Sequence, residues 1–439
     1  MNTVAFHTLG CRVNQYDTQA MLERFRDRGY LVVPFQGDAD IYVINTCTVT
    51  GTGDKKSMQL ARRVRREHPD AELILCGCLA QRLGEELLST GARLVLGTAR
   101  RQDVVDLLEE AVRTSRQICA VTGLSSQPFE RLSISSQQDK TRCDLKIQEG
   151  CNNHCTYCII PSVRGPIRSR SLEDIHQEAQ RLSEAGYHEL VVTGIHLTSY
   201  GKDLPDHPSL LDALHQVQRV HGIWRIRLGS LEPVIATRAF AEGLKELPSV
   251  CPQFHLALQS GSDTVLRRMK RRYTCDMYRR SVRDLREVFP DAAFTSDLLT
   301  GFPGETEAEF EETRSMIREI GFARVHVFPF SPRAGTPAAS MPGQLPRHVK
   351  EERARILIAD GQHTAAAYRA TWIGRIRDVL IEDQEDGVWR GYTPEYIPVY
   401  FPDQQHVLHS GMVVRACLAS AFGDGLVGRL PVAPEPSVL

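Results

Sequence analysis

The 439-residue chain lacks any apolar run approaching the ~18 residues that a membrane-spanning helix requires. Its first residues, "MNTVAFHTLGCRVNQYD", carry neither the basic stretch nor the apolar core of a secretory signal. These two absences lead us to expect a cytoplasmic protein with no membrane partner. A surplus of charge is missing too: 53 Lys and Arg stand against 54 Asp and Glu. Net charge therefore neither requires nor excludes a nucleic acid. Twelve cysteines are present, and a reducing compartment leaves them without disulfides. A last absence concerns "EGCNNHCTYCIIP", residues 149–161, which holds Cys151, Cys155 and Cys158 but has no fourth cysteine before Cys251.

A structural zinc site wants four ligands, and a ferredoxin-type run supplies a fourth thiolate. Three thiolates can hold three irons of a four-iron, four-sulfur cluster and leave the fourth iron free of protein. Such an iron can chelate the amino and carboxylate groups of S-adenosylmethionine, whose reductive cleavage gives an adenosyl radical. The alternative is a zinc site completed by His154 or a remote residue. Tyr157, just before the last cysteine, offers a ring that could stack on adenine or simply pack.

The first ~118 residues alternate strand-like and helix-like segments: "TVAFHTL", "ADIYVINT", "AELILCG" and "ARLVLG", each followed by a helical pattern, "AQRLGEELLSTG" among them. That pattern predicts a doubly wound parallel sheet. Cys11, Cys47 and Cys78 follow the first, second and third of these strands, where such sheets bind ligands. Cys76 still belongs to the strand body, so Cys78 is the preferred third member. Residues 119–136, rich in Ser and Gln, read as a linker. Within 137–370 six strand-plus-helix units predict a partial barrel whose site lies at the C-terminal strand ends, where the Cys151 loop falls. Residues 371–432 turn all-β and predict a small barrel, with a Pro-rich tail at 433–439.

The Cys151 loop, "TLGCRVNQYDT", "NTCTVT", "GCLAQ" and "GFPGETEAEF" together resemble the methylthiotransferase branch of the radical S-adenosylmethionine enzymes. The resemblance spans nearly the whole chain and implies an α/β fold: the doubly wound sheet, a (β/α)6 radical-SAM core and an antiparallel TRAM barrel. It implies that Cys11, Cys47 and Cys78 hold a second four-iron, four-sulfur cluster, with Cys78 in the "GCxAQ" pattern and Cys76 a bystander. It implies Gly194, Glu232 and Gln259 as residues of the S-adenosylmethionine pocket, and gives Arg164, Gly165, Ser169 and Arg170 unassigned places near the cluster loop. The implied reaction inserts sulfur and a methyl group at an unactivated C–H bond. It needs a reductant such as flavodoxin or ferredoxin and a sulfur donor. "TLGCRVNQYDT" and "HVFPFSPRAGTPAA" look most like the branch acting on N6-threonylcarbamoyladenosine beside the tRNA anticodon. The isopentenyladenosine and ribosomal-protein branches are the alternatives.

Two basic stretches, "ARRVRREH" and "RRMKRRY", could track phosphates or be solvated helix faces. The C-terminal barrel is acidic, with five Arg, no Lys and eight Asp and Glu in 371–431. Glu382, Asp383, Glu385 and Asp386 are expected in a single turn, leaving another face for RNA. Tyr392, Tyr396 and Trp389 are its candidates for stacking on anticodon-loop bases. A different class, a non-catalytic iron–sulfur protein that binds RNA or carries electrons, would need no pocket beside the Cys151 loop.

Overall fold

A computed structural model of the chain describes residues 2–125, 127–137, 140–402 and 408–430. The expected tail at 433–439 lies outside them, and none of their helices is long and apolar enough to cross a membrane.

The first domain runs β1 (Thr3–Thr8), α1 (Arg12–Asp27), β2 (Leu31–Val33), β3 (Ile41–Thr46), α2 (Gly51–Glu67), β4 (Glu72–Gly77), α3 (Cys78–Leu83), β5 (Leu94–Leu96), α4 (Val104–Arg113) and β6 (Ile118–Cys119). All strands are parallel, in the order β2-β1-β3-β4-β5-β6. Each face carries its own core, with Phe25, Ile74 and Leu108 on one side and Tyr42, Val64 and Leu75 on the other. The doubly wound reading therefore holds. β2 and β6 escaped it because three and two residues show no period. The single helix expected over 80–91 is instead two pieces, since α3 stops at Gly84, which adopts φ +53°. The order reverses between β1 and β3, so the crevice of this sheet opens where Cys11 and Cys47 lie.

The central domain comprises β7 (Arg142–Glu149), α5 (Ile160–Arg164), β8 (Arg168–Ser169), α6 (Leu172–Glu184), β9 (Glu189–Gly194), α7 (Leu210–Gln218), β10 (Arg225–Leu228), α8 (Arg238–Lys245), β11 (Gln253–His255), α9 (Asp263–Arg268), α10 (Cys275–Val288), β12 (Ala293–Thr300), α11 (Glu307–Ile320), β13 (Arg324–Pro329) and α12 (Arg347–Ala370). Two sheets, β10-β9-β7-β8 and β11-β12-β13, meet through single bridges at Ile226–Val250 and Leu231–Leu256. β7, β9, β10, β11, β12 and β13 form the six parallel strands of an incomplete barrel, open between β13 and β7. Cys143, Leu145, Ile147, Leu190 and Ile226 face outward into the helices. Strand alternation then turns Arg142, Asp144, Lys146, Gln148, Glu189, Arg227, Gln253, His255, Asp297 and His326 inward. The lumen is polar. "GFPGETEAEF" owes its pattern to the start of α11, where Thr306 and Glu309 form a capping box.

The segment read as a linker begins with Cys119 of β6 and has no regular element in its other described residues, yet it is packed rather than loose. Leu132 and Ile134 join the barrel's core, and Glu130 accepts from Arg101 at 2.8 Å.

The C-terminal strands β14 (Ile376–Glu385), β15 (Val388–Tyr392), β16 (Pro398–Phe401), β17 (Val413–Phe422) and β18 (Gly425–Arg429) close a barrel in the order β14-β15-β16-β18-β17. Pairing is antiparallel except for β16 with β18. The acidic residues do not share one turn, contrary to expectation. The hairpin needs only two left-handed residues, Asp386 at φ +48° and Gly387 at φ +81°. Glu382 and Asp383 are strand residues that pair with Arg142 at 2.7 Å and Arg390 at 2.6 Å.

This barrel docks where the strands of the central domain begin, at the end opposite the Cys151 loop. Arg225 donates to Asp378 O at 2.7 Å and Tyr392 O at 3.0 Å, and Arg227 to Pro394 O at 3.0 Å. Tyr392 and Tyr396 stack on each other at 4.7 Å, with Arg142 over both rings. These two tyrosines are committed to the joint and not presented to bases, and Trp389 packs against the barrel's own core. Exposure of an aromatic depends on docking, which local sequence does not reveal.

Candidate metal centres and cofactor cleft

β7 ends at Glu149, and Gly150 turns the chain at φ +73° with Pro166 O so near that no side chain fits. The loop that follows brings Cys151, Cys155 and Cys158 to one cleft of about 150 Å³, shared with Asn153, Tyr157, Ile195, His196, Glu232, Gln259 and Arg271. His154 points to solvent and does not line the cleft, which removes the nearest candidate for a fourth zinc ligand. Burial pushes the Cys158 thiol up to about 12 and raises that of Cys151, so metal binding here must displace protons.

Glu232 is the polar centre of the cleft. It meets Arg271 at 2.7 Å, Asn153 at 3.0 Å and His196 at 3.1 Å. Burial would raise its carboxyl, but the His196 hydrogen bond and the Arg271 charge outweigh this and hold it below the usual range. Arg271 also donates to Cys155 Sγ at 3.2 Å. Gln259, bridged to Leu298 four residues beyond β11, holds a left-handed φ of +66°, a strain that such sites concentrate. Tyr157, partly buried, packs against the cluster that holds Phe302 and Phe330. Gly194 does not line the cleft: its backbone approaches Gln148, whose Cβ a side chain would meet at 2.9 Å.

The N-terminal cysteines come to the neighbouring edge of the first sheet. Gly10, at φ +104°, brings the Cys11 turn so close to Cys47 that a Cβ added there would lie 3.0 Å from its Sγ. Asn14 donates to Leu9 O at 2.7 Å and Thr46 O at 3.1 Å, tying the two cysteine loops together. Cys78 begins α3 and packs on Ile159 and Val163 of the other cysteine loop. Burial drives its thiol up to about 11 against the opposing charge of Arg164. Cys76 lies instead in the sheet's core, fully buried, with Ile44 O at 3.6 Å.

Among the described residues, no three His, Cys, Asp or Glu groups converge tightly enough for a single ion. Two sets of three separated soft thiols, each with an arginine at 3.2 Å from one sulfur, fit a polynuclear, net-negative iron–sulfur group better than zinc.

The sequence singled out Arg164 without a role. It is wholly buried, donating through Nε to Cys78 and through Nη1 to Asp17 and Glu149, with Nη2 on Asn14. Lys146 and Arg101 complete this charge network. Arg170 bridges Tyr16 and Glu178 across the same seam, Ser169 bonds Asp203, and Gly165 lies against Leu124; none lines the cleft. On the β13 side, Arg333 reaches Asp54 at 2.6 Å and Thr48, next to Cys47. The first domain thus clasps both free edges of the barrel.

The basic runs divide by role. Of "RRMKRRY", Arg268 pairs with Glu309 and Arg271 enters the cleft, leaving Arg267, Lys270 and Arg272 exposed at its rim. Arg62 to Arg66 end α2, which starts beside Cys47 and runs away from it, so that stretch is remote from both triplets.

The class is set by residues 145–317, which match the Radical SAM superfamily, while residues 3–97 match the uncharacterized protein family UPF0004. The chain is similar to solved radical S-adenosylmethionine proteins in fold. Against the methyltransferase TsrM from Kitasatospora setae the TM-score is 0.54 at 14% identity, covering 77% of each chain. Against OxsB it is 0.50 at 12% identity, covering 84% of this chain and 56% of that one. Sequence relatives are nearer. The chain is 41% identical over 430 residues to the threonylcarbamoyladenosine tRNA methylthiotransferase MtaB of Bacillus subtilis, covering 96% of this chain and 94% of that protein. To MtaB of Thermotoga maritima it is 38% identical over 437 residues, covering 98% and 99%. The chain belongs to the MtaB family of radical S-adenosylmethionine enzymes.

Proposed function

We propose that this chain is a tRNA methylthiotransferase that converts N6-threonylcarbamoyladenosine, 3′ of the anticodon, to its 2-methylthio derivative. The observation that carries the reading is the meeting of two cysteine triplets across α5, with Cys158 before the helix and Arg164 on Cys78 at its end. In this reading Cys151, Cys155 and Cys158 hold one four-iron, four-sulfur cluster and Cys11, Cys47 and Cys78 a second. When bound, one cluster supplies reductive cleavage of S-adenosylmethionine and the other supports sulfur delivery.

The chain's own residues do the rest. Ionised Glu232 offers an acceptor to the cofactor's ammonium group, Tyr157 a ring and Gln259 a polar tip. Gly194 supports the cleft from behind. Arg271 and Arg164 offset thiolate charge in sites shielded from water. Residues 371–432 act as a TRAM domain, with Tyr400 and Phe422, 5.1 Å apart beside Arg390, as the aromatic face open to RNA. A reductant, a sulfur donor and a cytoplasmic location complete the reading.

The polar lumen favours this substrate over an isopentenyl one. A threonylcarbamoyl group brings a carboxylate, a hydroxyl and urea N–H groups, whereas an apolar chain would leave lumen groups unpaired at about 1–3 kcal/mol each. The test offers the reconstituted enzyme three substrates in parallel: threonylcarbamoyladenosine tRNA, isopentenyladenosine tRNA and the ribosomal protein. Methylthiolation of the first is expected. Reaction of the ribosomal protein alone overturns the RNA reading, and preference for isopentenyladenosine moves the chain to the neighbouring branch. Iron retained with no S-adenosylmethionine cleavage would favour an electron carrier.

A further inference from the structure

One wall of the polar lumen stands apart. β13 packs Val325 and Val327 outward against the core. Its inward face is therefore Arg324, His326 and Phe328. Phe328 is 49% exposed, a large ring left bare in a lumen whose other inward groups are mostly polar. Register places Phe328 beside Leu299 and His326 beside Asp297. His255 completes the group, with Nε2 at 3.4 Å from Asp297 and Nδ1 at 3.0 Å from Thr295. Its ring lies 6.3 Å from that of His326. Among the described residues His326 has no hydrogen-bond partner at either ring nitrogen, and Asp297 keeps 35% of its side chain exposed. Burial lowers the His326 pKa, which keeps the ring neutral and able both to donate and to accept.

The wall also stands in the right place. Leu299 packs on the same cluster of Phe302 and Phe330 as Tyr157 of the cofactor cleft, and Gln259 of that cleft bridges to Leu298. At its upper end β13 leads to Arg333, which sits on Thr48 next to Cys47. A planar group against Phe328 would therefore lie between the two cysteine triplets.

We propose that the inward face of β13 seats the nucleotide to be modified: Phe328 stacks on the adenine, and His326, Asp297 and His255, one step deeper, hydrogen-bond its N6 substituent. This rests on the tRNA reading above. The occupant is a purine because a bare ring above a polar layer matches a flat π-face carrying a polar side group.

The test uses the iron-loaded full chain and anticodon stem-loop RNAs. One RNA carries 2-aminopurine at the target position, which reports stacking but has no N6 substituent; another carries threonylcarbamoyladenosine. Binding to the parent protein is expected to quench the 2-aminopurine. Phe328→Ala abolishes the quench at RNA saturation, Phe328→Tyr restores it, and both keep the parent's iron content. Phe328→Ala also raises KM for the threonylcarbamoyl stem-loop by roughly tenfold, as expected for one lost base–aromatic stack. His326→Leu leaves the quench intact and raises the same KM by roughly tenfold. A quench that survives Phe328→Ala, or never forms with the parent, overturns the seat. An unchanged KM in His326→Leu overturns the substituent contact. If the parent enzyme itself ignores the threonylcarbamoyl stem-loop, the substrate reading fails, and the quench still reports on the wall separately.

Discussion

Nε of Arg164 lies 3.2 Å from Sγ of Cys78, although the two residues belong to different domains. The same guanidinium serves Asp17, Glu149 and Asn14, and Asn14 in turn holds the loops before Cys11 and Cys47. Arg164→Met should therefore leave Asp17 and Glu149 to Lys146 and Arg101 alone and Asn14 Oδ1 without a donor, destabilise the protein by about 1–3 kcal/mol and lower the iron held by the N-terminal triplet. Arg164→Lys restores charge but not the fork, and should recover only part of either quantity. Thermal unfolding together with iron analysis decides; equal iron in Met and parent would refute the link.

Cys76 and Cys78 offer a clean contrast. Cys76→Ala removes a core thiol and should leave reconstituted iron at about eight per chain, with stability reduced by only about 1 kcal/mol. Cys78→Ala should leave about four irons and spare S-adenosylmethionine cleavage. Loss of iron in the first variant with retention in the second would exchange their roles.

Glu309 gives a pH signature. Its carboxylate takes both nitrogens of Arg268, at 2.8 and 2.9 Å, and the Thr306 N–H at 2.8 Å. Arg268, with Thr264 and Thr306, holds the pKa down at about 2 against an ordinary 4.5. A depressed acid stabilises the fold fully above its unfolded pKa and loses that contribution as pH falls through the folded one. Glu309→Gln should thus be less stable than the parent at pH 7 by about 1 kcal/mol, discounted for solvent screening. Urea unfolding should show this gap narrowing below pH 4.5 and closing near pH 2. A gap independent of pH would assign the effect to packing.

The seat of the C-terminal barrel is testable at Tyr396, sandwiched by Tyr392 and the guanidinia of Arg142 and Arg227. Tyr396→Ala should loosen the joint by about 1–2 kcal/mol and expose the junction near residue 371 to protease, with both iron contents unchanged. Protection equal to the parent's would show that the main-chain contacts of Arg225 and Arg227 suffice.

Much of this was readable from residue order because it is local. Cys151, Cys155 and Cys158 share one loop, and Cys11, Cys47 and Cys78 each end a strand, so topology alone could gather them. Arg271 was not readable. Five basic residues in seven look alike until Lys270, left-handed at φ +57°, bends the chain and sends the next side chain inward. Tyr392 and Tyr396 misled for a related reason, because which aromatic stays bare depends on how two domains dock. Glu382 looked like part of a turn since nothing nearby announces Arg142, 240 positions away. The inward face of β13 was present as alternation in "RVHVFPF", but alternation does not say which face meets the lumen.

The bond between Arg164 and Cys78 also sets an order in time. Cys78 emerges from the ribosome 86 residues before its arginine, an interval of about ten seconds at ordinary rates of synthesis. During that interval the nascent first domain has its own Asp17–Arg101 pair but neither Arg164 nor the α5 surface that covers Cys78. Cys78 thus lacks its cover on the growing chain, and the N-terminal site reaches its final form only after the barrel's first strand and loop have been made. In the two-cluster reading, loading of iron at the finished site awaits the synthesis of Arg164, and a truncated first domain produced alone would be an unfinished receptacle.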